Sequence, residues 1–234
     1  MIRALIETSL IDWDGKITMV LFCDTCNLNC PYCQNWRLLS DPGAHDIIPW
    51  NSIERIIADK ETWLDGIVLT GGEPLVCLSE TITLCQRIKH LGMLVKCDTN
   101  GTLPDALRSL IMQELVDYVA MDIKAPLDER YALAAGMSAP IDTVRESIDL
   151  LMTGTVEYEF RTTCVPGIID TDGIHAIGKA IQGAGKWALQ TYVPEHAREE
   201  TFRAPLPSGY QDMMHRYLVI AQRYVVNSIL RGRI

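Results

Sequence analysis

Short apolar segments alternate with amphipathic segments along most of the chain. The apolar segments predict six strands, at Ile17–Phe22, Gly66–Thr70, Leu94–Asp98, Tyr118–Asp122, Glu157–Thr163 and Trp187–Thr191. Apolar positions at helical spacing predict helices between them, at about residues 52–61, 79–91, 104–116, 142–153 and 172–184. This alternation is typical of an α/β fold with a parallel sheet, which can be open or closed into a partial barrel.

Both ends of the chain extend this pattern. The apolar segment 2–9 precedes a turn at Asp14-Gly15, which predicts an N-terminal hairpin with the first strand. Near the other end, apolar positions predict one long helix at about residues 209–230. No linker or repeat divides the 234 residues, so we expect a single domain, with a core at about 17–195 and a C-terminal extension at 196–234.

Composition and charge restrict the possible functions. The formal net charge is −9 and no basic block is interleaved with aromatic residues, which argues against a nucleic-acid platform. No apolar run approaches the roughly 18 residues of a membrane span, and the N-terminus lacks a secretory signal pattern. We therefore expect a cytoplasmic protein without a membrane partner. The chain has eight cysteines, and some of them are clustered. In a cytoplasmic protein, clustered cysteines indicate metal binding rather than disulfides.

One predicted strand carries an unusual row of charges. Residues alternate between the two faces of a strand, so Glu157, Glu159, Arg161 and Thr163 share one face. A charged row facing a dry core would be costly. We therefore expect this face to line a lumen that is filled with water or with a ligand.

Three cysteines follow the first strand at C-x3-C-x2-C spacing: Cys26, Cys30 and Cys33. Three thiolates on one loop can hold a four-iron cluster while one iron stays open for another ligand. A structural zinc site is the alternative, with Cys23 as its fourth ligand. The short spacing favours the cluster, because cysteine pairs that bind zinc are usually separated by longer spacers. A non-catalytic electron carrier also remains open.

Further polar motifs follow the next predicted strands. In Gly71-Gly72-Glu73-Pro74, paired glycines let the backbone approach a ligand and the carboxylate can accept a hydrogen bond from an ammonium group. Asp98 and Thr99 end one strand and Asp122 ends the next, where α/β folds place ligand chemistry. Such oxygens can bind a hard cation or ribose hydroxyls. A tight turn and a solvated carboxylate pair are the plain alternatives.

The C-x3-C-x-aromatic-C loop, the Gly-Gly-Glu-Pro motif and six strand–helix units together resemble the radical S-adenosylmethionine (SAM) superfamily over about residues 17–195. Within it, the chain looks most like the activating enzymes of glycyl radical enzymes, in particular the long-form activator of anaerobic ribonucleoside-triphosphate reductase. The segments that carry this resemblance are Cys26–Gln34, Gly71–Pro74, Asp98–Gly101 and Met121–Lys124. The resemblance implies a partial (β/α)6 barrel.

The resemblance also implies a site. Cys26, Cys30 and Cys33 would hold a [4Fe-4S] cluster whose open iron is chelated by SAM. The implied SAM contacts are Tyr32 near the adenine, Gly71, Gly72 and Glu73 at the methionine amino end, and Lys124. A monovalent cation would be bound by Asp98, Thr99, Asp122 and the carbonyl of Ala120.

The implied activity is that of an oxidoreductase of anaerobic metabolism. Reductive cleavage of SAM would yield a 5′-deoxyadenosyl radical, which takes a hydrogen atom from a glycine of a partner enzyme such as the anaerobic reductase. Flavodoxin or ferredoxin would supply the electron. Because the motifs do not specify the hydrogen donor, direct modification of a small molecule, a peptide or a tRNA is the alternative.

Overall fold

The structure is a computed structural model that describes residues 2–41, 43, 46–138 and 140–232. The chain forms two compact units. The first consists of Met1–Asn27, Arg37–Thr99 and Asp105–Val119, and the second of Leu28–Trp36, Asn100–Pro104 and Ala120–Ile234.

Eight strands form one sheet in chain order: β1 (Ile2–Ser9), β2 (Thr18–Cys23), β3 (Gly66–Gly71), β4 (Leu94–Thr99), β5 (Tyr118–Asp122), β6 (Glu157–Thr163), β7 (Trp187–Gln190) and β8 (Ser228–Arg231). β1 runs antiparallel to β2, whereas β2–β3–β4 and β6–β7–β8 are parallel. The α/β class, the N-terminal hairpin and the six predicted strands are confirmed. Within the described residues β1 and β8 are the end strands of this order, so the sheet is not a closed barrel there.

Eight helices accompany the strands in the described part of the chain: α1 (Trp36–Ser40), α2 (Trp50–Ala58), α3 (Leu78–His90), α4 (Pro104–Met112), α5 (Arg130–Ala135), α6 (Ile141–Thr153), α7 (Thr171–Ala180) and α8 (Tyr210–Ala221). The five predicted helices between strands are present, whereas the short helices α1 and α5 were not predicted. None of the described helices is long and apolar enough to cross a membrane.

The prediction of one helix over residues 209–230 is wrong in its second half. Helix α8 ends at Ala221, and residues 228–231 instead form strand β8, which pairs with β7. A four-residue segment is too short for its periodicity to distinguish a strand from the end of a helix. The contacts of this strand are distant in sequence, because it pairs with β7 and the Arg231 side chain binds Glu159 on β6.

The N-terminal hairpin packs over one face of the first unit. Trp13, from the hairpin turn, forms an apolar cluster with Val20 and Val68, and Phe22, Leu94 and Tyr118 surround it. The fully buried Lys96 continues this face, where its ammonium donates to the carbonyl of Asp12 at 2.5 Å. The same ammonium lies 3.1 Å from the carboxylate of Asp98. Charged residues therefore follow the apolar cluster along β4.

Candidate functional site

The cysteine segment of the second unit, residues 28–36, makes a tight turn. The amide of Cys33 donates to the carbonyl of Cys30 at 3.2 Å, which brings these two cysteines onto one turn. Burial raises the pKa of the Cys30 thiol, and the nearby Lys124 ammonium acts in the opposite direction. Cys26 belongs to the first unit and is half-buried.

Helix α5 braces one side of the cysteine segment. The amide of Asn29 donates to the carbonyl of Ala135, at the end of α5, at 2.9 Å. Gly136, which ends the helix, has a φ of 68°, and a Cβ added there would lie 2.0 Å from the carbonyl oxygen of Asn29. Only glycine provides both the left-handed backbone and this close approach.

A second segment, the C-terminal clasp (residues 192–203), contacts the same loop. Hydrogen bonds join them from Glu199 N to Pro31 O (2.9 Å), from Gln34 Nε2 to Val193 O (3.1 Å) and from Trp36 Nε1 to His196 O (3.2 Å). The Arg203 guanidinium also lies over the Trp36 ring, 5.9 Å from its centroid. The first part of the predicted C-terminal extension therefore holds the cysteine segment.

Tyr32 joins the loop and the clasp through aromatic packing. Its ring lies edge-on to Tyr192, with centroids 6.4 Å apart, and 6.3 Å from the ring of Phe202. Burial raises the pKa of Tyr32 well above its usual value, and Lys124 partly offsets this. The side chain implied to lie near adenine is thus fixed by residues far along the chain.

Beside this loop, Asp122 at the end of β5 is held by two cations. Its carboxylate lies 2.8 Å from Arg161 Nε and 3.4 Å from Lys124 Nζ. Burial works against the charged form, but Arg161 and Lys124 outweigh it and hold the pKa of Asp122 below its usual value. Although burial alone would lower the pKa of Lys124, Asp122 raises it well above normal. All three groups are therefore charged at neutral pH.

The charged face predicted on β6 exists, and Asp122, Lys186 and Arg231 neutralise most of it. The buried Glu159 carboxylate accepts two hydrogen bonds from Arg231, at 2.6 and 2.8 Å, and lies 3.2 Å from Lys186. Arg161 binds Asp122, as described above, while Glu157 is exposed. These pairings explain how a row of charges is tolerated on this strand.

In the first unit, the glycine motif is bound to the end of β2. Gly72 N donates to Cys23 O at 2.9 Å, and Glu73 N donates to Thr25 O at 2.7 Å. Gly71 has a φ of 103°, and a Cβ on Gly72 would lie 2.1 Å from Thr25 O. Glycine is required at both positions because the backbone at the end of β2 approaches them too closely for a Cβ.

The carboxylate of Glu73 is engaged within the same unit. It is almost fully buried and accepts hydrogen bonds from Leu75 N at 3.1 Å and from the Thr99 hydroxyl at 2.9 Å. Asp98, the residue before Thr99 on β4, lies instead against Lys96. Asp98 and Thr99 therefore have different partners in the first unit.

Cys23 occupies a different environment from the other loop cysteines. It ends strand β2 and lines a cavity of about 400 Å³ together with Cys77. Burial raises the pKa of its thiol to about 12. Cys23 is thus a buried residue at the end of the strand.

The structure thus places the expected residues in two sets. Cys30, Tyr32, Cys33, Asp122 and Lys124 lie in the second unit, and Cys26, Gly71, Gly72, Glu73, Asp98 and Thr99 lie in the first. In the described part of the chain, no three His, Cys, Asp or Glu side chains converge as a ready-made metal site. The clasp and the buried Tyr131 on α5 were not predicted, because no motif marks them in the sequence.

Comparison with known proteins identifies the family. Residues 20–177 match the Radical SAM superfamily. A protein of Methanocaldococcus jannaschii, provisionally named a glycyl-radical enzyme activating enzyme, is 31% identical over 235 residues, covering 99% of this chain and 95% of the relative. The 7-carboxy-7-deazaguanine synthase of Methanothermobacter thermautotrophicus is 29% identical over 159 residues, covering 65% of this chain and 62% of the synthase.

Solved structures share the fold. A domain of pyruvate-formate lyase-activating enzyme from Bacteroides vulgatus matches with a TM-score of 0.57 at 16% identity, covering 72% of this chain and 99% of that domain. Streptococcus suis SuiB bound to precursor peptide SuiA matches with a TM-score of 0.71 at 13% identity, covering 91% of this chain and 48% of SuiB. The family match over residues 20–177 establishes that the chain belongs to the radical SAM superfamily.

Proposed function

We propose that this protein activates a glycyl radical enzyme, and that its partner is an anaerobic ribonucleoside-triphosphate reductase. The observation that carries the proposal is the 31% identity to the provisionally named activating enzyme, which extends over nearly the whole of both chains. The match to the pyruvate-formate lyase-activating enzyme domain supports the fold that such a role requires.

In this proposal Cys26, Cys30 and Cys33 hold the [4Fe-4S] cluster that the family implies. The donor set fits that group, because Cys30 and Cys33 lie on one tight turn and the Lys124 ammonium lowers the pKa of the Cys30 thiol, against the larger effect of burial. When bound, the cluster supplies one electron for the cleavage of SAM to methionine and a 5′-deoxyadenosyl radical. We propose flavodoxin or ferredoxin as the electron source.

The remaining site residues position SAM. Tyr32 packs near the adenine, and Gly71, Gly72 and Glu73 meet the methionine amino end. Lys124, held by Asp122, presents a permanent positive charge to the SAM carboxylate. Asp98, Thr99 and Asp122, with the carbonyl of Ala120, are proposed to bind a monovalent cation.

In this proposal, the contacts that hold the cysteine segment in place support the cofactor site. Helix α5 and the C-terminal clasp hold the segment from two directions within the second unit. A loop fixed in this way keeps the reacting groups oriented and limits the access of water. The clasp is therefore part of the cofactor site in our proposal.

Direct action on a small molecule is the second candidate. It is favoured by the 29% identity to 7-carboxy-7-deazaguanine synthase, although that similarity covers only 65% of this chain. The charged face of β6 is compatible with a small polar substrate as well as with a peptide loop.

The test is an anaerobic incubation of the reconstituted protein with the candidate reductase, SAM and a reductant. Electron paramagnetic resonance should then detect a stable glycyl radical on the reductase. A reductase in which the radical glycine is replaced by alanine is the matched control and should give no such signal. Stoichiometric cleavage of SAM without a radical on the wild-type reductase would reject the activase assignment and favour the small-molecule alternative.

A further inference from the structure

Lys96 on β4 is a fully buried lysine whose ammonium is held inside the first unit. It donates a hydrogen bond to the carbonyl of Asp12 at 2.5 Å and lies 3.1 Å from the Asp98 carboxylate. It also lies 5.9 Å from the centroid of the Tyr118 ring. The side chains of Lys96 and Asp98 are only 2% and 9% exposed. Lysine is almost never buried to this extent unless it is paired, and Asp98 is its counter-ion here.

Stability alone does not explain this buried ion pair. In the register of the sheet Lys96 stands beside Val68, which belongs to the apolar cluster around Trp13. Taking two charges out of water into such surroundings is costly, and apolar side chains of similar volume are often at least as stable. The pair is therefore better explained by what the Asp98 carboxylate does at the end of β4.

Lys96 connects the N-terminal hairpin to that strand end. Side chains alternate along a strand, so residues 96 and 98 lie on the same face of β4. The Asp12 carbonyl anchors the ammonium from the hairpin, and the ammonium in turn meets the Asp98 carboxylate. In the same way the hydroxyl of Thr99, the next residue of β4, holds the carboxylate of Glu73. Strand β4 thus supplies a partner for each of these two carboxylates.

We propose that Lys96 is a positioning residue for SAM binding, whose ammonium holds the Asp98 carboxylate in the orientation that the SAM site requires. Lys96 itself touches neither SAM nor the cluster and acts through Asp98. The ammonium can fix the carboxylate because its own place is set by the Asp12 carbonyl. The inference rests on the proposed role of Asp98 in that site.

The experiment measures SAM binding by equilibrium dialysis of the reconstituted protein, without a partner enzyme or a reductant. Lys96→Met removes the ammonium but keeps a long side chain, and it should raise the Kd for SAM about tenfold, an effect typical of one hydrogen bond to a charged group. Lys96→Gln keeps a donor for the Asp12 carbonyl but no charge, and it should weaken binding to a similar extent. An iron content equal to that of wild type shows that a variant has folded.

Two further variants separate positioning from a general effect on the fold. Lys89→Met is the matched control, because Lys89 forms a comparable pair with Asp117, at 2.7 and 2.9 Å, in the same unit. Its Kd for SAM should equal that of wild type. Adding Lys96→Met to Asp98→Asn should raise the Kd no further than Asp98→Asn alone, because Lys96 acts through Asp98.

An unchanged Kd in the Lys96 variants would overturn the proposal. An equal loss of affinity from Lys96→Met with and without Asp98→Asn would also overturn it, since the effect would then not pass through Asp98. If Asp98→Asn binds SAM too weakly for dialysis, kcat/KM for 5′-deoxyadenosine formation with dithionite gives the same comparison. A wild type that binds no SAM would instead reject the proposed cofactor site, whereas the absence of a glycyl radical on a partner would reject only the activase assignment.

Discussion

Replacing Gly136 by alanine tests whether α5 holds the cysteine segment. The added Cβ would lie 2.0 Å from the carbonyl oxygen of Asn29, whereas real Cβ contacts are essentially never shorter than 3.0 Å. The two backbones must therefore separate by at least 1.0 Å, the difference between these distances. Because Asn29 N donates to Ala135 O at 2.9 Å, a shift of that size breaks the hydrogen bond.

The energetic cost has two parts. A non-glycine residue with the φ of 68° found at Gly136 costs about 1 to 2 kcal/mol. Loss of the hydrogen bond from Asn29 adds about 1 kcal/mol. Gly183 provides the matched control, since its φ is 86° but nothing lies within 4 Å of an added Cβ. Gly183→Ala should carry only the backbone cost, so the two variants should differ by about 1 kcal/mol or more.

Two measurements separate the variants. Urea unfolding of the cluster-free proteins should show Gly136→Ala to be the less stable of the two. Anaerobic reconstitution should give Gly136→Ala clearly less iron per chain than wild type, while Gly183→Ala loads normally. If both variants lost stability equally and loaded iron equally, the bracing role of α5 would be refuted.

Two further predictions concern the charged groups of the second unit. Arg231→Ala removes both hydrogen bonds that the guanidinium donates to the buried Glu159 carboxylate and should destabilise the protein by about 2 to 3 kcal/mol in urea unfolding. The cost should shrink in a Glu159→Gln background; equal costs in both backgrounds would contradict the pairing. Because the pKa of Asp122 is lowered in the folded state, its stabilising effect exists above the unfolded value of about 3.9 and is lost as the pH falls through the lower folded value. Asp122→Asn should therefore reduce the stability of the cluster-free protein by about 2 kcal/mol at pH 7, and the difference should vanish at acid pH; a difference independent of pH would refute this assignment.

Period and spacing in the sequence predicted those parts of the fold that depend on local patterns. The six strands, the hairpin and the five helices between strands each depend on a run of residues long enough to show its period. Strand β8 was missed because its four residues are too few, and because its contacts, the pairing with β7 and the binding of Arg231 to Glu159, are distant in sequence. Helix α1 and helix α5 are likewise too short for a periodic signal.

The candidate site likewise has one part that local sequence patterns predict and another part that they do not. The cysteine spacing and the glycine motif are contiguous in the sequence, so they could be recognised there. The packing of Tyr32 against Tyr192 and Phe202 joins residues that no local pattern connects. The same is true of Gly136, which ends α5 and lies against the backbone of Asn29.

The central claim is that Cys26, Cys30 and Cys33 hold a cluster that cleaves SAM while Cys23 does not take part. Its most direct test is the yield of 5′-deoxyadenosine after anaerobic reconstitution with iron and sulfide, in the presence of SAM and dithionite. Wild type and Cys23→Ala should both form the product, and Cys30→Ala should form none. If Cys23→Ala lost both the cluster and the product, the three-cysteine ligand set would be contradicted.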